Sequence, residues 1–337
     1  MGQYFVAVDI GATKTTVSVS SRRGILARVY QLTRKSGDPG TVPRQVDFLI
    51  GTACAQARVE KPQIRAVGIS TASPFETTDE ALSLIAPNIC GALGEKRKEI
   101  GNDWRQVPLE RDLRGKYPRL RIANDCISAA VAERSFGAGL GEDNLLYVTW
   151  STGIGAGAFV DGHLLTGKNG NALHLGHIVM NYHRGDEPVC GCGGRAHLEA
   201  LVAGPAIGRE YGAEPQEVFQ RCRRGEKRAA TLIQRVAAIM ATGLYSAVAL
   251  LDSRLIILGG SVSKNWDILE PLVTDRFYRE FPVLTREVVF KHSELDQYLG
   301  DMAGLSLVMP DDWIADWQKR KPWRQAPETT VLEPELA

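Results

Sequence analysis

Apolar and polar positions form three short runs at the start of the chain. Residues 4–9 are almost wholly apolar. After Gly11, residues 15–20 alternate one by one, and a turn at 21–24 leads into 25–30. That layout predicts a meander of three strands. The period then lengthens. Val46, Leu49, Ile50, Ala53 and Ala57 share one face of a helix over 44–59. Residues 64–70 and 120–123 read as buried strands, and 128–136 as a helix.

The opening pattern then returns. Residues 145–150 are apolar, Thr152-Gly153-Ile154-Gly155 follows, and a strand continues through 160. Asp161-Gly162 is a hairpin turn, with the next strand at 163–165. Strand, glycine-rich turn, strand, turn and strand thus occur twice, about half a chain apart, which predicts two related α/β lobes. A long helix over 231–251, a strand over 254–258 and the turn Gly259-Gly260-Ser261 complete the second copy. Residues 94–101 carry five charges and read as a solvated loop or helix face. Residues 311–337 read as an appended tail that packs through Trp313, Trp317 and Trp323 and frays at its end.

Composition adds limits. A length of 337 residues fits two domains with a cleft between them. A hydrophobic fraction of 44% and a charged fraction of 23% are ordinary for a globular protein with real cores. A net charge of +1 gives no pull towards nucleic acid or an anionic membrane. No apolar run approaches the ~20 residues that span a bilayer, and the N-terminus has no signal-peptide layout. Six cysteines in so long a chain do not make a disulfide framework, so a reducing cytoplasm is the expected location.

The candidate chemistry is phosphate handling. In Asp9-Ile10-Gly11-Ala12-Thr13-Lys14-Thr15, Gly11 lets the backbone approach an anion, and successive N–H groups can cradle its oxygens. Thr13 and Lys14 add a hydroxyl and a cation, and Asp9 can hold a hydrated Mg²⁺. A plain hairpin turn with polar residues is the competing reading. Ser151-Thr152-Gly153-Ile154-Gly155 supplies a second cradle, and Gly259-Gly260 offers bare backbone for a nucleoside. Residues 162–168 imitate a P-loop as far as Lys168, but Asn169 stands where the Ser or Thr on Mg²⁺ belongs. The glycines of 153–157 precede a strand, which excludes a Rossmann fingerprint. Asn124-Asp125 closes a strand and opens a helix. Such a carboxylate is either a general base or only a helix cap.

Taken together, Asp9–Thr15, Asn124-Asp125, 151–157, Gly176-His177, Cys190-Gly191-Cys192-Gly193-Gly194, Glu199 and Gly259-Gly260 resemble the ROK family in order and spacing. That family includes microbial glucokinases, N-acetylmannosamine kinases and sugar-responsive repressors. The resemblance, from about Tyr4 to Leu307, implies a two-lobed, actin-like α/β fold with a central cleft. It also implies transfer of the ATP γ-phosphoryl group to a hexose hydroxyl, foremost the 6-OH of glucose, with Asp125 as base. A modified or N-acylated hexose is the alternative substrate, and a non-catalytic sugar-responsive protein the second alternative. A repressor would need a DNA-binding domain before the first strand, where only three residues stand.

Further expectations follow from the resemblance. Asn88, Asn124, His174, His177 and Glu199 would bind sugar hydroxyls. Asp9, Gly11, Thr13, Lys14, Thr152, Gly153, Gly259 and Gly260 would hold the nucleotide. The family's usual Glu is His174 here, Ser73 replaces a common glycine, and 91–102 looks like an insertion. Cys190 and Cys192, closely followed by His197 and preceded by a distant His177, suit a tetrahedral Zn²⁺. His197 stands where the family usually has a third cysteine. A reduced cysteine pair, or His183 as a substitute ligand, remains open. The first lobe is expected over 1–123, completed by a helix returning near 296–308, and the second over 124–295. Assembly into a dimer or tetramer is also expected.

Overall fold

The computed structural model describes residues 3–78, 80–93, 100–180 and 187–333. The charged residues 94–99 and His183 fall outside them. The chain forms two compact units. The first comprises Met1–Leu140, Thr166–Ala172 and Glu294–Ala337; the second comprises Gly141–Leu165 and Leu173–Ser293.

The first unit is built on a six-stranded sheet in the order β13-β3-β2-β1-β4-β7. β1 (Tyr4–Ile10), β2 (Lys14–Ser21) and β3 (Gly24–Leu32) are the expected meander, and β4 (Ile64–Thr71) and β7 (Leu120–Asn124) continue it in parallel. A hairpin of β5 (Phe75–Thr78) and β6 (Ala81–Leu84) stands apart from the sheet. Both faces of β1 are covered, which explains its unbroken apolar run. Val6, Val8 and Ile10 pack on Val46, Leu49 and Ile50 of the helix Thr41–Ala57. Phe5 and Ala7 pack towards Met302 and Leu305 of the helix Leu299–Ser306 and the three tail tryptophans. That helix approaches backbone to backbone. A Cβ on Gly304 would lie 2.7 Å from the Cβ of Ala7 and 2.8 Å from the carbonyl oxygen of Gly68.

The second unit has a five-stranded sheet in the order β10-β9-β8-β11-β12. Its strands are β8 (Leu145–Trp150), β9 (Ile154–Val160), β10 (His163–Leu164), β11 (Leu255–Gly259) and β12 (Val289–His292). The Asp161-Gly162 turn has φ of 50° and 73°, the conformation its sequence predicts. The helix Lys227–Leu251 runs through the core, with Ile233, Val236, Met240 and Leu244 packed with Leu146 and Val148 of β8. Among the described residues it is the one helix long and apolar enough to cross a membrane, and its buried face is core packing.

The division differs from the expected one. The sequence reading cuts before Asn124, whereas the helix Asp125–Phe136 belongs to the first unit. Its Ala132 and Phe136 share a core with Leu305, Trp317 and Trp323, a long-range packing that no local pattern encodes. The tail likewise joins the first unit. It forms the helix Asp311–Arg320 and ends in β13 (Thr330–Val331), which pairs in parallel with β3.

Candidate active site

In the first unit the candidate residues gather where the parallel strands end. Asp9 is opposite Ser70, and Thr71 is opposite both Ile10 and Asn124. After Ile10 the chain turns tightly: the Gly11 N–H donates to the Lys14 carbonyl at 2.9 Å, and Thr33 Oγ1 donates to the Gly11 carbonyl at 2.8 Å. Thr13 and Lys14 are exposed at the tip. Asn124 caps the helix Asp125–Phe136. Its Oδ1 accepts from the N–H groups of Cys126 and Ile127 at 2.9 and 3.2 Å, and its Nδ2 donates to Ser73 Oγ at 2.5 Å. The cap function therefore falls to Asn124, and the Asp125 carboxylate accepts from Cys126 N–H at 2.8 Å.

Burial pushes the Asp9 carboxyl up to about 7; Asp125 and Asp301 push the same way and Lys14 opposes them. Burial also raises Asp125, against hydrogen bonds from Cys126 and Asn124. Asp125 keeps contact with solvent, but the protein around it displaces most of the water that would hydrate its charge. Asn88 is exposed in the turn after β6. Asn102 anchors that loop, donating to the carbonyls of Lys35 and Ile89 and accepting from Gly91 and Trp104 N–H.

In the second unit two glycine-rich turns meet at the carboxyl ends of β8 and β11, where Gly259 is opposite Thr149. Ser151 Oγ and Ser261 Oγ are 2.9 Å apart, and Val262 N–H donates to the Trp150 carbonyl at 2.9 Å. Gly260 has φ +96°, and a Cβ there would lie 2.5 Å from the Trp150 oxygen, so the close approach needs glycine. Thr152 is exposed beside them. Glu199 opens the helix Leu198–Val202 and reaches back across Gly153: its Oε2 accepts from Ile154 N–H at 3.0 Å. A side chain at 153 would meet that carboxylate at 2.7 Å.

His174 precedes a 3-10 turn over Leu175–His177, and burial lowers its pKa, which keeps the imidazole neutral. The His174 and His177 rings are 5.5 Å apart, and those of His177 and His197 are 5.3 Å apart. His177, Cys190, Cys192 and His197 each bring one donor atom within 4.8 Å of the others. Cys190 Sγ is 3.6 Å from His177 Nδ1, and Cys192 Sγ is 3.3 Å from His197 Nδ1. Short antiparallel bridges at Val179–His197 and Val189–Arg195 hold this knuckle. Cys190 Sγ is also 3.5 Å from Glu199 Oε1. Burial pushes the Cys190 thiol up to about 12, the direction a bound cation reverses.

A profile of the ROK family matches residues 5–302. The chain belongs to the ROK family. A Pyrobaculum calidifontis glucokinase is 36% identical over 192 residues, 55% of this chain and 64% of that protein, so the match spans less than two thirds of the relative. An Aeropyrum pernix glucokinase is 30% identical over 328 residues, 89% of this chain and 93% of the other. Among solved structures, the ROK hexokinase from Thermus thermophilus superposes with a TM-score of 0.72 at 28% identity, covering 90% of this chain and 98% of that one. The fold is accordingly the two-lobed, actin-like α/β fold of ROK sugar kinases.

Near these candidates, the contacts of three residues escape sequence reasoning. Asp301, almost fully buried, forms an ion pair with Arg28 at 2.8 Å and faces Asp9. Ser73 holds Asn124. Asn171 bonds both main-chain groups of Phe75. Only Gly300 and Gly304 around Asp301 hint at close helix packing in the sequence.

Proposed function

We propose that this chain is an ATP-dependent hexose kinase that phosphorylates the 6-OH of glucose. The observation that carries the reading is the Asp9 and Asn124-Asp125 constellation where the parallel strands end, within a chain that matches a glucokinase over most of its length. Phosphoryl transfer requires positioning and charge stabilisation more than covalent chemistry. In the proposed reaction Asp125 accepts the proton of the hexose hydroxyl as its oxygen bonds to the γ-phosphorus. The bond from that phosphorus to the bridging oxygen breaks, and ADP leaves. Asn124 is already engaged in capping, which fixes the direction of Asp125.

The turns at Gly11–Lys14, Thr152-Gly153 and Gly259-Gly260 are assigned to the nucleotide. Asp9, a carboxylate whose charge nothing nearby fully compensates, suits a hydrated Mg²⁺. That ion would neutralise charge on the transferred group. Asn88, His174, His177 and Glu199 are assigned to the sugar. His177, Cys190, Cys192 and His197 form a donor set suited to Zn²⁺. Such an ion would lock the loop before Glu199. Free cysteines and ATP dependence fit a cytoplasmic enzyme. A dimer or tetramer belongs to the same reading, and light scattering tests it.

The deciding experiment measures ATP consumption with glucose, mannose, glucosamine and N-acetylmannosamine. Glucose is expected to give the highest kcat/KM, and Asp125→Asn should lower kcat by ~10²–10⁴-fold while both substrates still bind. Wild-type turnover in Asp125→Asn would remove the base assignment. A chain that consumes ATP with none of the sugars is not this kinase.

A further inference from the structure

The side-chain amide of Asn171 acts as a piece of strand. Its Oδ1 accepts from the Phe75 N–H at 2.8 Å, and its Nδ2 donates to the Phe75 carbonyl at 2.7 Å. These are the two bonds that a partner residue in an antiparallel ladder would make. Thr77 Oγ1, two residues on along β5, donates to Asn169 Oδ1 at 3.3 Å. Between them, Gly170 adopts φ +73°, and a Cβ there would lie 3.6 Å from the Phe75 ring. Ala172 N–H closes the loop on the Thr166 carbonyl at 3.0 Å.

The next residues show why this grip matters. Leu173 has φ +64°, a left-handed conformation that leucine adopts only when its surroundings impose it. Its carbonyl accepts from the N–H groups of Ala156 and Leu175 at 3.2 and 2.6 Å. Asn171 thus holds the chain on one side of the strained residue, and β9 holds it on the other. Immediately afterwards come His174, Leu175, Gly176 and His177. Upstream of Phe75, Ser73 receives the bond from Asn124, the neighbour of Asp125. One short stretch, Ser73-Pro74-Phe75, therefore touches both the residue beside the base and the residue three positions before His174.

We propose that Asn171 is a positioning residue for hexose binding. It fixes the direction in which the backbone enters the His174–His177 turn, and through it the presentation of both imidazoles. This rests on the hexose-kinase reading given above.

Asn171→Ala removes both bonds, and Asn171→Asp keeps an acceptor for Phe75 N–H but sets a carboxylate oxygen against the Phe75 carbonyl. Both are expected to raise KM for glucose by about tenfold or more, with KM for ATP unchanged. Asn171→Gln, which keeps the amide but displaces it by one methylene, should show the same split more weakly. Equal losses for glucose and ATP would mark Asn171 as merely structural and overturn the proposal. So would an unchanged glucose KM.

Hydrogen exchange in the sugar-free protein gives a readout independent of activity. In Asn171→Ala the amides of 175–178 should exchange about tenfold faster, while those of the helix Lys227–Leu251 keep their rate. Unchanged exchange at 175–178 also overturns the proposal. If the wild type phosphorylates no hexose, the proposed function fails on its own, and the exchange experiment still decides whether Asn171 sets this turn. Should Asn171→Ala not fold, Asn171→Gln serves in both measurements.

Discussion

His174 stands just ahead of the 3-10 turn Leu175–His177, its ring 5.5 Å from that of His177. Where the family pattern has a carboxylate that only accepts hydrogen bonds, a neutral imidazole offers one donor and one acceptor. Burial depresses its pKa, so the neutral form prevails at pH 7. If this segment reads the sugar as proposed, the exchange removes a negative charge from it and weakens any preference for a cationic amino sugar. His174→Glu is therefore expected to shift the glucose-to-glucosamine ratio of kcat/KM towards glucosamine by ~1–3 kcal/mol, roughly 5- to 150-fold. An unchanged ratio would show that His174 does not read that part of the sugar. At this scale, legibility depended on chemistry close along the chain. Asp9, Gly11, Lys14, Asn124 and Asp125 stood in short patterns with a reason of their own, whereas Glu199 was marked only by the family resemblance. Asp301, Ser73 and Asn171 did not, because their partners lie 50 to 300 positions away in sequence or act through main-chain atoms.

Among the elements, the knuckle over Cys190–His197 has too little apolar content to hold itself. Among the described residues it is held by two isolated bridges, backbone bonds such as Cys190 N–H to the Gly194 carbonyl at 2.7 Å, and sulfur–imidazole contacts. In this reading a structural Zn²⁺ supplies the missing stability. The purified protein should contain one Zn²⁺ per chain by metal analysis. Cys192→Ser should lose both metal and activity, whereas His197→Cys should retain both, since thiolate and imidazole are each competent ligands. Full activity in metal-free protein would defeat this reading. Regular elements were easier to foresee than this one. The meander, the Asp161-Gly162 hairpin and the long helix follow from periodicity and turn residues. The terminal helix and β13 were not foreseen. Thr330–Val331 is a strand only because β3 offers an open edge, a property of the sheet and not of those two residues.

Across the whole molecule, the two units rest on different stabilising devices. The second has one large core around the helix Lys227–Leu251. The first depends on the chain's end: Trp313, Trp317 and Trp323 are buried with Phe5 and Phe136, and Trp317 Nε1 donates to the Arg22 carbonyl at 2.9 Å. Trp317→Ala should cost about 3–5 kcal/mol, as large aromatic deletions in cores do. Calorimetry should show the unfolding of the first unit moved down and that of the second unmoved. A shift of less than ~1 kcal/mol would mean that the tail is an ornament on an already complete unit.

This dependence on the end sets an order of events during synthesis. The chain leaves the first unit after Leu140, touches it again over Thr166–Ala172, and rejoins it for good at Glu294. At ~5–20 residues per second, the ribosome takes on the order of ten seconds to make what lies between. The second unit can close during that interval, but the backbone seat at Ala7 and Gly68 stays bare until Gly304 emerges to fill it. The unit whose strands emerge before the second unit is thus the one that matures after it. Its uncovered sheet face is the stretch that a nascent-chain chaperone has most reason to guard.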